Sequence, residues 1–430
     1  MVPPWLFRVA AVLLTVLGFA NLYFYNYARI HAMFHPTPDI RLNLYGDPQI
    51  EGDAKLQREP RTGWFDILVN DYYLHHVYGS TIAAFKPNYV VTMGDIFSSQ
   101  WVKRSEYYKR IERFKWISQR VDGRNKNIQS SHMYLYLAGN HDIGYGDETR
   151  PYHINRFVNN FGPLNRKWTV DIHGRLHRMA ILNAMSLDKT RMQQYRTESW
   201  DFVHGLAADS ARYPDIPLVL FLHIPLYKHD GVCVANAKTV HRDGFVRYQD
   251  YLSPATSAYL LHCLAPVLVF NGHDHNGCVA GHSTNVTASI PTALRDSGKT
   301  LTSISDMCDL TLEELDMYQP ELDEFALSTT SSTAGSAVAN STSFSTIEIT
   351  VRSSMGAYHG TTGIFDISSD RQQHPATSNV RVFGRSAQVN VGGYTYSYRE
   401  IPFGHHLVVR ILLISNIISC FAIPAMIFFA

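Results

Sequence analysis

The chain has 430 residues, 45% of them hydrophobic and 17% charged, which supplies apolar material for a full core and excludes a disordered or fibrous protein. Its formal net charge of +1, with no run of Lys and Arg able to track a phosphate backbone, argues against nucleic acid as a partner. The length leaves room for one large domain or two ordinary ones.

From Trp5 to Tyr27 the only charge is Arg8, and the cluster Tyr23, Phe24, Tyr25 and Tyr27 closes the run as an interfacial aromatic belt would. Residues 5–27 therefore read as a transmembrane anchor, since the stretch reaches the ~20 residues a span needs. A cleaved signal peptide is the competing reading, with Gly18-Phe19-Ala20 as a cleavage-like site. From Asp39 to Asn285 short runs of Val, Ile, Leu and Tyr alternate with helical patterns, which predicts an α/β domain. The expected strands are Ile40 to Tyr45, Tyr89 to Met93, Met133 to Ala138, Met179 to Ala184, Leu218 to Leu222 and Val267 to Phe270. Helices are expected over Trp64 to Phe85, stopped by Pro87, and over Glu106 to Arg120.

The domain is expected to fill residues 38–400, with 287–345 as an insertion. That insertion holds an acidic patch and a Ser/Thr/Ala-rich tract, too little apolar surface to offset its ordering entropy, so it is expected to be flexible. Order is expected to resume at Phe344, where Ile347, Ile349 and Val351 alternate like a strand, with another over Thr362 to Ile367. Residues 407–430 are apolar again and predict a second transmembrane helix. Arg29 and Arg410 flank the two runs on the domain side, so a simple positive-inside count favours a cytosolic domain, although the rule loses force across so long a loop. Cys420 falls in the terminal run. The even set Cys233, Cys263, Cys278 and Cys308 allows three disulfide pairings or four free thiols. Asn285 and Asn340 begin glycosylation sequons compatible with a lumenal location.

Five of the six expected strands run into polar clusters: Gly46-Asp47-Pro48-Gln49, Gly94-Asp95, Gly139-Asn140-His141-Asp142, His223, and Asn271-Gly272-His273-Asp274-His275. Each alone has an ordinary explanation as a turn or a helix cap. Their recurrence at strand ends is different, because the crevice outside those ends is where α/β sheets bind ligands. Together they supply carboxylate, amide and imidazole donors and no thiolate, a set suited to manganese, iron, magnesium or zinc in a non-structural site. With two carboxylates for two cations, one must be shared, which fits ions roughly 3.5 to 4 Å apart, a pair able to hydrolyse a phosphoester. Trp101, Tyr145, Tyr227 and His229 follow these clusters and are candidates to line a substrate pocket; His75, His76, His173 and His262 read as surface or core residues.

The order of motifs from Leu42 to Asn276 resembles the calcineurin-like metallophosphoesterases. The segments Gly46 to Gly52 and Gly94 to Phe97, with an apolar run at each end, look most like the membrane-bound branch that removes ethanolamine phosphate from the mannose core of glycosylphosphatidylinositol (GPI) anchors. The resemblance implies an α/β (α+β) fold, a β-sandwich flanked by helices, working in the membrane of the endoplasmic reticulum, with the Golgi as the alternative, and with its catalytic domain lumenal. It implies that Asp47, Gln49, Asp95 and His275 hold one metal, and that Asn140, His223, His273 and the shared Asp95 hold the other, most suitably Mn2+. His141 would protonate the leaving oxygen or stabilise phosphoryl charge, and Asp142 would orient His141 or a nearby amide. The implied partners are GPI-anchored proteins or the GPI lipid as substrate, and the membrane; nothing in the residues specifies an oligomeric state. Gln49 departs from the family, which more often has His there, and no acid follows Asp95 three residues on. Those departures keep open a catalytically degenerate membrane scaffold or cargo-binding protein, and an esterase for some other phosphoester is a third reading.

Overall fold

The computed structural model describes residues 4–119, 133–282, 307–317, 324–326, 346–369, 380–383, 386–404 and 406–428. Its strands are β1 (Ile40–Tyr45), β2 (Tyr89–Thr92), β3 (Met133–Tyr136), β4 (Arg166–Ile172), β5 (Arg175–Ile181), β6 (Leu218–Phe221), β7 (Thr239–Arg242) and β8 (Phe245–Gln249). They continue as β9 (Leu268–Asn271), β10 (Cys278–His282), β11 (Glu324–Ala326), β12 (Thr346–Thr350), β13 (Thr362–Ser369), β14 (Val380–Phe383), β15 (Ser386–Val391) and β16 (Tyr394–Ile401). The helices are α1 (Pro4–Met33), α2 (Asp53–Arg58), α3 (Gly63–Phe85), α4 (Arg104–Ser118), α5 (Asn140–Ile143), α6 (Pro151–Phe161), α7 (Gln193–Arg212), α8 (Pro254–Leu264), α9 (Leu312–Met317) and α10 (His406–Phe428).

Two seven-stranded sheets form the sandwich, in the orders β14-β15-β16-β13-β1-β2-β3 and β11-β10-β12-β9-β6-β5-β4. In the first sheet β1, β2 and β3 are parallel and run to one edge, with antiparallel strands on the other side; in the second, β5, β6, β9 and β12 form a parallel centre and antiparallel strands finish both edges. Strands β2, β6 and β9 read as short apolar runs because both their faces are covered. In β6, Val219 and Phe221 point into the space between the sheets, and Leu218 and Leu220 into the helix layer. Helix α3 ends as Pro87 requires, with Lys86 in left-handed backbone at φ 47. Helix α8 starts at Ser253, whose hydroxyl accepts from the Thr256 amide at 3.2 Å, with Pro254 in its first turn.

One expectation changes, and one open alternative is decided. Part of the presumed flexible insertion is built into the protein: Met307, Leu310 and Leu315 are buried, Asp316 pairs with Arg196 at 2.6 Å, and Cys308 is bonded to Cys263. Apolar side chains embedded in the acidic patch supply the burial that its composition concealed. The sequons at Asn285 and Asn340, and the rest of 287–345 apart from 307–317 and β11, lie outside the described residues. The cysteines are not free thiols, since Cys233 also bonds Cys278, leaving Cys420 as the free cysteine among those described.

The anchor run is a longer helix than 5–27. Within α1 the 26 residues Arg8–Met33 are long and apolar enough to cross a membrane; their most apolar 18-residue stretch has a mean hydropathy of 1.6, and none of it is buried. In α10 the apolar stretch Leu407–Cys420 is shorter. The two helices pair through Asn21 and Asn416, whose amides exchange hydrogen bonds of 3.0 and 2.9 Å. Below that pair, Tyr27 packs on Phe403 and Phe24 stacks on His76 of α3 at 4.9 Å.

Candidate active site

The strand-end clusters meet where the carboxyl edges of the two sheets come together. One sheet sends Asp47 and Gln49 from the end of β1, Asp95 from β2 and Asn140 from β3 through α5. The other sends His223 from β6, and His273 and His275 from β9. Asp95 faces both sets. Its Oδ2 lies 3.3 Å from Gln49 Nε2, and its Oδ1 lies 3.4 Å from His223 Nε2. On the first side, Gln49 Nε2 is 3.1 Å from His275 Nε2, which is 4.0 Å from Asp47 Oδ2. On the second, His223 Nε2 is 3.1 Å from Asn140 Oδ1, and His273 offers a ring nitrogen within 4.8 Å of donor atoms on Asp95 and His223.

The imidazoles are aimed from behind. His223 donates through Nδ1 to the Met93 carbonyl at 2.8 Å, and His273 through Nε2 to the Gln249 carbonyl at 3.0 Å, so each turns its other nitrogen inward. Backbone amides hold the carboxylates: His273 donates to Asp47 Oδ2 at 2.9 Å and His141 to Asp95 Oδ1 at 2.8 Å. Asp142 leaves the His141 ring alone and instead accepts from the amides of Gly139 and Ile96, at 3.0 and 3.1 Å, tying the loop of Asn140 to that of Asp95. His141 is part-exposed, its Nε2 3.8 Å from Asp95 Oδ2.

The electrostatics ask for a cation. Burial raises Asp47 well above its ordinary value, His223 opposes that and Asp95 adds to it. Burial works upward on Asp95 too, but His223 and then His141 outweigh it and hold Asp95 well below the usual range. Burial, then the charge of Asp95, push Asp142 up to about 7. His223 is raised to about 9: burial lowers it, and Asp95 with Asp47 more than reverse that. His273 and His275 fall to about 3 and about 4, burial first, and are neutral with lone pairs to give. Asp47 Oδ1 is buried without a hydrogen bond, a costly state that a metal ion would relieve. Oxygen and neutral imidazole donors around an orphaned carboxylate oxygen fit divalent cations.

A family model described as calcineurin-like phosphoesterase matches residues 42–277, the span that carries every one of these side chains. The chain belongs to that family. It is a phosphoester hydrolase whose site takes divalent metal. Over 330 residues the phosphoesterase is 26% identical to Protein TED1 of Saccharomyces cerevisiae, an alignment covering 60% of this chain and 68% of that one. It is 27% identical over 256 residues to Metallophosphoesterase 1 of Ailuropoda melanoleuca, covering 54% and 62%. It is 24% identical over 257 residues to Cell division control protein 1 of Saccharomyces cerevisiae, covering 56% and 48%. The matched segments thus span about two thirds or less of these relatives.

Of the aromatic candidates, Tyr145 packs on His273 with centroids 6.2 Å apart, and Trp101 packs on His153. Tyr227 and His229 pack on each other, and Tyr227 lines an 880 Å³ cavity that none of the seven expected ligands borders. His75 stacks on Trp116 and His173 pairs with Asp39, away from the site.

Several supporting residues escaped the sequence reading. Ser353 Oγ donates to the Asp47 carbonyl and the Ser353 amide to the His275 carbonyl, at 2.9 and 3.1 Å, joining a loop of each sheet. Glu348 is buried between the His223 and His273 loops. It accepts from the Leu226 amide at 2.8 Å, Asn271 Nδ2 at 2.6 Å, and Lys228 and His282 at 2.7 Å each. Alternation with Ile347 and Ile349 marks Glu348 as the other face of its strand, which ordinarily means solvent; a charge between buried neighbours was the available signal.

Proposed function

We propose that this phosphoesterase removes ethanolamine phosphate from the mannose core of GPI anchors, acting on GPI-anchored proteins or the GPI lipid from the lumenal side of the endoplasmic reticulum membrane. The observation that carries the reading is the double face of Asp95, one carboxylate oxygen toward Gln49 and the other toward His223. Asp47, Gln49, Asp95 and His275 would hold one ion, and Asn140, His223, His273 and the shared Asp95 the other. When bound, two such ions acidify water and neutralise charge on a phosphoryl group. The protein's own part is positional. Met93 and Gln249 fix the two imidazole tautomers, and Asp142 fixes the loops of Asp95 and Asn140. His141, part-exposed over Asp95, is free to hold a proton at Nε2 for the leaving oxygen or to stabilise phosphoryl charge. To ligate, Gln49 would turn its amide oxygen inward in place of the Nε2 that faces Asp95 and His275, and that oxygen, a weaker donor than imidazole, would favour a hard ion such as Mn2+ over zinc.

Membrane attachment and a lumenal site draw support from α1, from its packing on α10 and α3, and from two disulfides, which belong to oxidising compartments. A groove of about 400 Å³ runs from Gln49 along α3 to Arg410 at the root of α10, a path from the site toward the apolar helices. Turnover of bis(4-nitrophenyl) phosphate by the purified full chain with Mn2+, its loss in Asp95→Ala, and close to two manganese ions per chain by elemental analysis are the expected results. Turnover unchanged by Asp95→Ala would refute the site. GPI-glycan masses from cells with and without the gene test the substrate: an unchanged ethanolamine-phosphate pattern removes the GPI assignment and leaves the hydrolase.

A further inference from the structure

Helix α3 has two unlike faces. Val69, Tyr73, Leu74, Val77, Tyr78 and Ile82 are buried against the sandwich. Trp64, Leu68 and Tyr72, spaced by four residues and so aligned on one side, are 59%, 45% and 60% exposed. Trp116 of α4 widens the patch; it is 42% exposed, meets Tyr72 edge-on at 5.0 Å and stacks on His75 at 4.3 Å. An apolar stripe of this size, rich in Trp and Tyr, is unusual where it meets only water.

Its neighbours indicate what covers it. The line through Trp64, Leu68 and Tyr72 continues four residues on to His76, which stacks on Phe24 of α1 at 4.9 Å and meets Tyr25 at 5.2 Å. Toward the other end of α3, Asp66 pairs with Arg410 of α10 at 2.6 Å. Helix α3 thus passes beneath the bases of both apolar helices. Its bare aromatic side runs on from Tyr23 and Tyr25, which are themselves exposed on α1. Trp and Tyr at the foot of a span sit at headgroup level, where a ring can be half apolar and half wet.

We infer that the Trp64, Leu68, Tyr72 and Trp116 face of α3 and α4 lies in the headgroup and acyl boundary of the bilayer that α1 crosses, so that α3 rests flat in the membrane surface. The inference rests on reading α1 as a span. It presses the domain onto the membrane, with the groove from Gln49 to Arg410, itself walled by α3, opening at lipid level.

The full-length chain, carrying Cys420→Ser, is labelled with the environment-sensitive dye NBD at Tyr72→Cys or, as control, at exposed Asp243→Cys on the turn between β7 and β8, and reconstituted into phosphatidylcholine vesicles. NBD at residue 72 is expected to shift its emission to the blue and to be quenched by lipid brominated near the headgroup, with residue 243 unaffected. In unlabelled protein carrying Trp5→Phe, which removes the exposed tryptophan of α1, the same lipid should quench tryptophan emission, and adding Trp64→Ser with Trp116→Ser should remove most of that quenching. Chain that floats with the vesicles but shows neither shift nor quenching overturns the inference and spares the anchor. Failure to float overturns both.

Discussion

Asp47, Gln49, Asp95 and His273 hold left-handed backbone, with φ of 36, 41, 48 and 70. Non-glycine residues there cost of order 1–3 kcal/mol each and persist where surroundings over-determine them. The glycines beside them make that possible: a Cβ on Gly139 would overlap Asp95 Oδ1, and one on Gly94 would overlap the His223 ring. Gly139→Ala should therefore displace Asp95 and lower kcat/KM for a small diester by about 100-fold, with far less effect on far-UV circular dichroism. Glu348 makes a separate prediction. Burial alone would raise its pKa, but Lys228 and then His282 bring it down from the ordinary 4.5 to about 2. A carboxyl depressed on folding stabilises the fold above its unfolded pKa and loses that contribution as pH falls through the folded value. Glu348→Gln, which leaves Lys228 charged and buried, should cost roughly 3–5 kcal/mol near neutral pH in urea titrations. The gap between variant and wild type should narrow between pH 4.5 and 2.

The loops that carry the site behave as paired elements. Gln49 and Ile50 donate from their amides to the Asp95 and Ile96 carbonyls, both at 2.9 Å, so the β1 and β2 loops form a short ladder beyond their strands. Arg110 of α4 clasps the Ile50 carbonyl at 2.9 Å and Ser98 at 3.0 Å. The disulfides act at the same scale, each joining residues 45 apart. By loop entropy each is worth about 4 kcal/mol, so Cys263→Ser with Cys308→Ser should lower the denaturant midpoint strongly. The Asn21 and Asn416 amides, paired between apolar helices, should contribute about 1 kcal/mol, read as weaker association of α1 with α10 after Asn416→Leu. Strands β2, β6 and β9 were legible because burial on both faces leaves short apolar runs that lead into glycine or polar residues, and β1 and β3 because Leu, Ile and Tyr recur just before such a cluster. The hairpin of β15 and β16 was passed over although Gly392-Gly393 stands between alternating segments, Val389 and Val391 before it and Tyr394, Tyr396 and Tyr398 after it. The pairings of the cysteines were not legible, since they depend on which loops the sandwich brings together.

Across the whole molecule, the site is a seam. Four of its expected ligands come from one sheet and three from the other, so ions bound there cross-link the halves of the sandwich. Mn2+ at about 100 times its Kd should add about 2.7 kcal/mol, seen as a rise in Tm that chelation reverses. Strand-end clusters announced this convergence in the sequence. The clasp across the seam, Ser353, was silent there, because a serine just past a strand looks ordinary until the opposite sheet is in place. The bond between Cys233 and Cys278 has its own consequence. It staples the excursion that follows His223 to the strand that begins just after His275, fastening the two stretches that bear the site's histidines. A newly made chain still in its dithiol form should therefore hold its metals loosely. Hydrolytic competence would then arrive only with oxidation, keeping the young enzyme silent while it remains in reducing surroundings.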